Sequence, residues 1–369
     1  MRPPRLLAIL VLALWLPGCA RVADEIHLRY FWPPSEAGAK IEYLGFYASD
    51  ANFKVKGGPF NTAAEVVFGV APAKPVFASP FAVDAWRRHV LVTDVSKRNV
   101  YLLDMDERKL DSLSLAQPQE KNAGLPGGVA IVDENQVLVV DSTRGMVGRL
   151  DMQGNVLGSF GRGVFKRPTA VAVDRTRKRI AVVDPPAHRL ALFSYDGEFV
   201  TYLGGFGDGE GQFNYPLDAD FDDAGNLYVL DSMNFRVQRF DRDDESYRYV
   251  RMFGEVGTAE GAFSRPKSLA VSPSGHIYVT DALGHKVVVF DREGNYLLSF
   301  GRQFVAKDGR VMPGGFYMPS GIAVDDQDGI WVVDSLNRMV HHFQYLNAKY
   351  LSDHPIRPGE MAPIVTEPH

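Results

Sequence analysis

The chain is poor in cysteine, with only Cys19 among 369 residues. No internal disulfide can form, so its core must be held by packing and hydrogen bonds. Long apolar runs are missing too: Leu6–Leu16 is eleven residues, too short to cross a bilayer as a helix. No GxSxG, HExxH or CxxCH occurs, which leaves serine-hydrolase, zincin and c-type cytochrome readings without support. The nine histidines lack metal-ligand spacing. His341 and His342 are adjacent in an extended segment and point to opposite faces, while His89, His188, His276 and His285 fall in turns. An excess of positive charge is absent as well. Forty basic residues against 45 acidic ones argue against bulk attraction to nucleic acid. The 35 glycines show no collagen-like period.

What is present begins with Arg2 and Arg5, the apolar core Leu6–Leu16, and Leu16-Pro17-Gly18-Cys19. This layout is a signal peptide. Its ending resembles a bacterial lipobox, with Pro17 a departure from the residues usual there. The resemblance implies that residues 1–19 are a lipoprotein signal peptide cut before Cys19, which is lipidated and becomes the mature N-terminus. With Ala20 rather than Asp following, it also implies anchoring at the outer membrane of a cell envelope, facing the periplasm or the exterior. The competing reading is an ordinary secretory signal with an incidental cysteine. Removal of the two signal arginines leaves 38 basic against 45 acidic residues, a net charge near −7.

The rest is organised by a repeat, clearest at Pro319–Val340. A proline opens a short apolar run, a polar turn follows, the run IWVV ends at Asp334, and a tight turn leads into a third run at Met339. The closing aspartate recurs at Asp94, Asp141, Asp184, Asp231, Asp281 and Asp334, in steps of 47, 43, 47, 50 and 53 residues. A period in the forties with several strands per unit predicts an all-β, six-bladed β-propeller of four-stranded repeats. Residues 41–351 form this propeller, 20–40 a tether, and 352–369 a proline-rich disordered tail. Ile41–Phe46 and Glu65–Gly69 read as strands, and either Ile41–Phe46 or Lys349–Leu351 could supply the strand that closes the ring. Pro216 and Pro266 mark starts of innermost strands. Phe213 and Phe263 read as aromatic plugs beneath glycine-bearing interblade loops. The repeated aspartates read as turn fixtures that accept backbone N–H groups, not as a catalytic array.

The turn after each aspartate reads SKRNV, STRGMV, PAHRL, MNFRV, LGHKV and LNRMV. Here the chain resembles the NHL-repeat family, named for a loose Asn-His-Leu at this place. His188-Arg189-Leu190 and His285-Lys286-Val287 are the nearest matches. The whole most resembles bacterial lipoproteins carrying a six-bladed NHL propeller, which implies a fold but no single activity. In such propellers these turns share a face with the interblade loops. That placement gives a candidate basic face of Arg98, Arg144, Arg189, Arg236, Lys286 and Arg338, suited to an anionic partner unless each cation simply pairs with a neighbouring aspartate.

Departures from the repeat supply two further candidates. Asp218 stands where other copies have Gly128, Ala170, Ser268 or Gly321, with Lys267 in the next unit; the two read as a polar axial mouth or a salt bridge across the channel. The loop between Gly301 and Pro319 is long and apolar, and its Phe304, Phe316 and Tyr317 read as a plug or a partner-binding patch. The resulting functional reading is a monomeric, lipid-anchored extracytoplasmic scaffold. It binds a protein or an envelope polymer, with no nucleic acid, no cofactor, no metal and no assigned catalytic residue. The alternative is a propeller enzyme, resembling peptidyl-hydroxyglycine lyases or gluconolactonases, with a site at the axial mouth. Against that alternative stand the lack of histidine on the inner strands and the scarcity of acidic ligands there.

Overall fold

The computed structural model describes residues 28–35, 38–49, 52, 75–114, 124–243, 246–307 and 310–362. Cys19 and the expected strand Glu65–Gly69 lie outside them. Short runs of β-branched and aromatic residues between turn formers build six antiparallel sheets arranged as a ring, a six-bladed β-propeller. Blade one comprises Pro80–Trp86, His89–Asp94, Asn99–Asp104 and Lys109–Ser114. Blades two to five follow the same order, and their innermost strands are Pro126–Ile131, Ala170–Asp174, Pro216–Phe221 and Pro266–Val271. The second strand of each blade is buried almost throughout, which explains its lack of polar alternation. Proline opens five of the six inner strands, where its missing N–H removes no ladder bond.

Crowding at the axis accounts for small residues there. A Cβ at Gly128 would stand 2.7 Å from Cα of Ala170 in the next blade, and one at Gly321 would stand 2.8 Å from Cα of Ala82. The phenylalanine plugs sit as expected. Phe213 and Phe263 are fully buried, each beneath the loop that joins two blades.

Blade six is closed from the other end of the chain. Pro319–Val324, Gly329–Asp334 and Met339–Tyr345 are followed in the sheet by Ile41–Tyr47 and then by Tyr30–Trp32. Ile41–Tyr47 is therefore the closing strand, and Lys349–Leu351 lies instead in the helix Ala348–Asp353. Two expectations are corrected here. Tyr30–Trp32, read as tether, is a fifth strand whose Tyr30 and Phe31 are buried. Residues 354–362, read as disordered tail, pack back on that strand. Met361 bridges Arg29, Ala362 is buried, and the Arg29 guanidinium pairs with Glu42 at 2.7 Å and Glu360 at 3.2 Å. An apolar strand edge left by closure needs cover, and these two segments provide it.

Candidate functional site at the axial mouth and the signature-turn face

The six signature aspartates are buried and serve backbone. Asp281 accepts N–H from Ser264 (2.8 Å), Arg265 (2.7 Å) and Gly284 (3.2 Å), joining the interblade loop to the turn after strand two. Asp94, Asp184, Asp231 and Asp334 hold their interblade loops in the same way. Each turn then places one residue in the left-handed region: Arg98, Gly145, His188, Phe235, His285 and Arg338, at φ between 50° and 61°.

That register separates the candidate basic residues into three positions. Arg98 and Arg338 occupy the left-handed corner and are exposed. Arg144 stands one residue earlier and pairs with Asp141 at 3.4 Å. Arg189, Arg236 and Lys286 open strand three, beside the signature aspartate. Arg236 is buried there, 2.9 Å from Asp231, and donates to the carbonyls of Asp208, Gly209 and Gln212. Arg189 lies 3.4 Å over the ring of Tyr202. The evenly basic crown is thus corrected, because half of its members anchor the fold.

The long last loop is corrected as well. Phe316 is fully buried and packs on Phe300, Phe343 and His341, so it is the blade-six equivalent of Phe213 and Phe263. Tyr317 stacks on His285, and Phe304 is half-buried with its N–H donated to the Phe316 carbonyl. Val311 joins Phe46, Ala48 and Met339 in a small core beneath the loop.

What the face does present is apolar. Met233, Leu283 and Leu336 hold the same turn position in blades four, five and six and are 52%, 53% and 54% exposed. Phe206 and Val256, on the interblade loops beside them, are 72% and 68% exposed. Single exposed apolar residues are ordinary, but five on adjoining repeats of one face make a crescent. The signal was legible: only these three signature turns begin with Met or Leu.

Inside the crescent, the mouth of the axial channel is a cup of about 300 Å³, walled by Phe81, Ala170, Leu217, Met318 and Leu336, with Lys267 and Asp218 on it. The structure therefore brings Asp218 and Lys267 to one cavity, but not into contact. Asp218 accepts from the Ser268 hydroxyl and from the Leu269 N–H at 3.1 Å. Lys267 is half-buried, and burial followed by the nearby Arg265 cation lowers its pKa.

Below the cup, two further carboxylates reach the channel. Asp220 accepts the Val271 N–H at 2.9 Å, and Asp84 the Ile131 N–H at 2.6 Å, with Arg175 3.4 Å from Asp84. An inner strand presents unpaired N–H groups at its free edge, and these aspartates satisfy them across blade boundaries. Burial pushes Asp218 up to about 6 and Asp220 up to about 7, aided by the repulsion of Asp84; Asp84 is raised by burial too. Asp84 and Asp220 were missed because their alternation with apolar residues looks like ordinary strand patterning. No group of three or more metal-ligating side chains forms among the described residues. No helix among them is long and apolar enough to cross a membrane.

The NHL-repeat family matches at residues 213–240, 263–290 and 316–343, so the chain carries NHL repeats in blades four to six. No curated protein matches the chain. Among solved structures, it is similar to a structural genomics protein of unknown function from Bacteroides thetaiotaomicron. That match has 17% identity and a TM-score of 0.57, covering 83% of this chain and 75% of that one. It is also similar to a streptogramin B lyase, with 11% identity and a TM-score of 0.52, covering 74% of this chain and 96% of that one. At these identities the likeness concerns the fold.

Proposed function

We propose that this six-bladed propeller, with NHL repeats in its last three blades, is a lipid-anchored extracytoplasmic scaffold that binds a protein partner. Cys19 carries the anchor, at the outer membrane of a bacterial envelope. The partner docks on the signature-turn face of blades four to six. The observation that carries this reading is the exposed crescent of Phe206, Met233, Val256, Leu283 and Leu336, an apolar surface of the kind that marks protein interaction. Arg98 and Arg338, the exposed cations of the turns, lie on the same face and select for acidic groups on the partner's rim. An envelope polymer rich in sugar hydroxyls has less to gain from such a surface.

The test is capture from solubilised membranes with the full chain and with a Met233→Asp, Leu283→Asp variant. Co-purified protein is expected with the first and absent with the second, while both keep the same melting temperature. Equal recovery with both would remove the crescent from the reading. Mass spectrometry of the mature N-terminus tests the anchor, with acylated Cys19 expected.

A second reading is enzymatic. Asp218 and Asp220, carboxyls with pKa values raised to about 6 and 7 beside a cavity, suit proton transfer near neutral pH, and one structural neighbour is named a lyase. Turnover of a streptogramin or a lactone that vanishes in Asp218→Asn would favour it.

A further inference from the structure

The cup at the channel mouth differs in shape from the crescent around it, with which it shares Leu336. Its walls are apolar, contributed by the inner strands of several blades and by the turn of blade six, and they enclose about 300 Å³. That is the size and character of a small-ligand site, not of a flat docking surface. One cation stands on its wall. Lys267 opens towards the cup from the second position of the inner strand of blade five. Its ammonium makes no ion pair among the described residues, and the nearest charge that acts on it is a second cation, Arg265. Arg265 is exposed beside it, on the loop that leads into the same strand. The acid on the cup, Asp218, is already engaged by Ser268 and Leu269 and supplies Lys267 with no counterion.

A half-buried ammonium without a partner is costly in an apolar setting, and an anion placed beside it recovers the lost solvation. The anion must also satisfy the cup, whose hydroxyls on Thr169, Ser268, Ser320 and Ser335 already donate to protein acceptors, so that most of what it offers is carbon. We propose that the cup binds a small apolar carboxylate, with its hydrocarbon body between Phe81, Leu217, Met318 and Leu336 and its carboxylate on Lys267. Arg265 adds long-range attraction at the entrance. Strongly hydrated anions such as inorganic phosphate are poor occupants because the walls cannot replace their water.

The experiment is isothermal titration of the purified full chain with octanoate and with 4-phenylbutyrate, using 1-octanol and octylamine as controls. Saturable binding of at least one carboxylate is expected, with octanol about tenfold weaker and octylamine without measurable heat. Lys267→Met should weaken the carboxylate about tenfold and leave octanol unchanged. Phe81→Asp should abolish both. Circular-dichroism melts of the two variants establish that each is folded; Lys267 and Phe81 are half-exposed, so both substitutions are tolerable. Absence of binding by both carboxylates, or equal affinity in Lys267→Met, would overturn the proposal. Either result leaves the crescent and its protein partner to be judged by membrane capture alone.

Discussion

The hydroxyl of Tyr43 and Nδ1 of His341 lie 3.1 Å apart, joining residues 298 positions distant across the seam that closes the ring. Both side chains are buried, and Nε2 of the same imidazole stands 3.5 Å from Asp334. The seam is thus a polar chain inside an otherwise aromatic core that includes Phe316 and Phe343. Tyr43→Phe removes the hydroxyl and leaves a ring nitrogen unsatisfied, so about 1–2 kcal/mol of stability should be lost. Urea denaturation of the two proteins, with slopes compared, reads this directly.

The outer layer of the seam rests on Arg29, which holds Glu42 and Glu360 together and donates to the carbonyls of Pro355 and His354. Arg29→Met keeps the aliphatic stem but leaves Glu42, itself buried, with only the Tyr350 hydroxyl. A loss of roughly 1–3 kcal/mol is expected. Hydrogen exchange should report it first at residues 28–32 and 355–362. Uniform exchange across all blades would instead mean that the ring opens as one unit.

The channel carboxylates make stability depend on pH. Unfolded aspartates titrate near 4, whereas Asp218 and Asp220 titrate at about 6 and about 7 in the folded protein, chiefly through burial. Between these values the folded state holds protons that the unfolded state releases. Their contribution therefore weakens as pH rises from about 4 to about 7 and is level above that. Asp220→Asn keeps an oxygen for the Val271 N–H and removes the charge. Relative to wild type it should gain on the order of 1 kcal/mol at pH 8 and little at pH 4, after allowance for the channel water these half-buried groups still meet. A difference that does not change with pH would refute the assignment.

Two substitutions in the last interblade loop should behave oppositely. Phe316→Ala empties a fully buried site and should cost about 3–5 kcal/mol. Val305→Ala, at 51% exposure, should stay within about 0.5 kcal/mol. Thermal melts of the two suffice.

Asp281→Ala strands the N–H groups of Ser264, Arg265 and Gly284 in one step. About 2–4 kcal/mol should be lost, with Asp281→Asn recovering part of it because its carbonyl oxygen still accepts.

Much of this architecture could be read along the chain. The alternating runs and the terminal aspartates recur six times, proline opens five inner strands and the Phe plugs mark the last three blades. Each involves contiguous residues, so local turn and strand chemistry is enough to identify them. The site was harder. Arg98, Arg189 and Arg236 look equivalent along the turns, yet one residue of register separates the exposed corner of Arg98 from the strand openings of Arg189 and Arg236. Tertiary neighbours then make one a ring-stacked cation and the other a buried partner of Asp231. Phe316 looked available on a long loop because its plug position is disguised by the insertion before it.

The amino-acid order alone determined the repeat, its strands and the apolar first letters of three signature turns, because those depend on neighbours within a few residues. Only the tertiary structure decided that Ile41–Tyr47 closes blade six, that Asp84 and Asp220 reach the channel beside Asp218, and that Lys267 stands without a counterion on an apolar wall. Those outcomes depend on which strand edges meet around a ring and which side chains then share the space left at its axis. Residues as far apart as Phe81 and Leu336 meet there, and no local pattern encodes their distance.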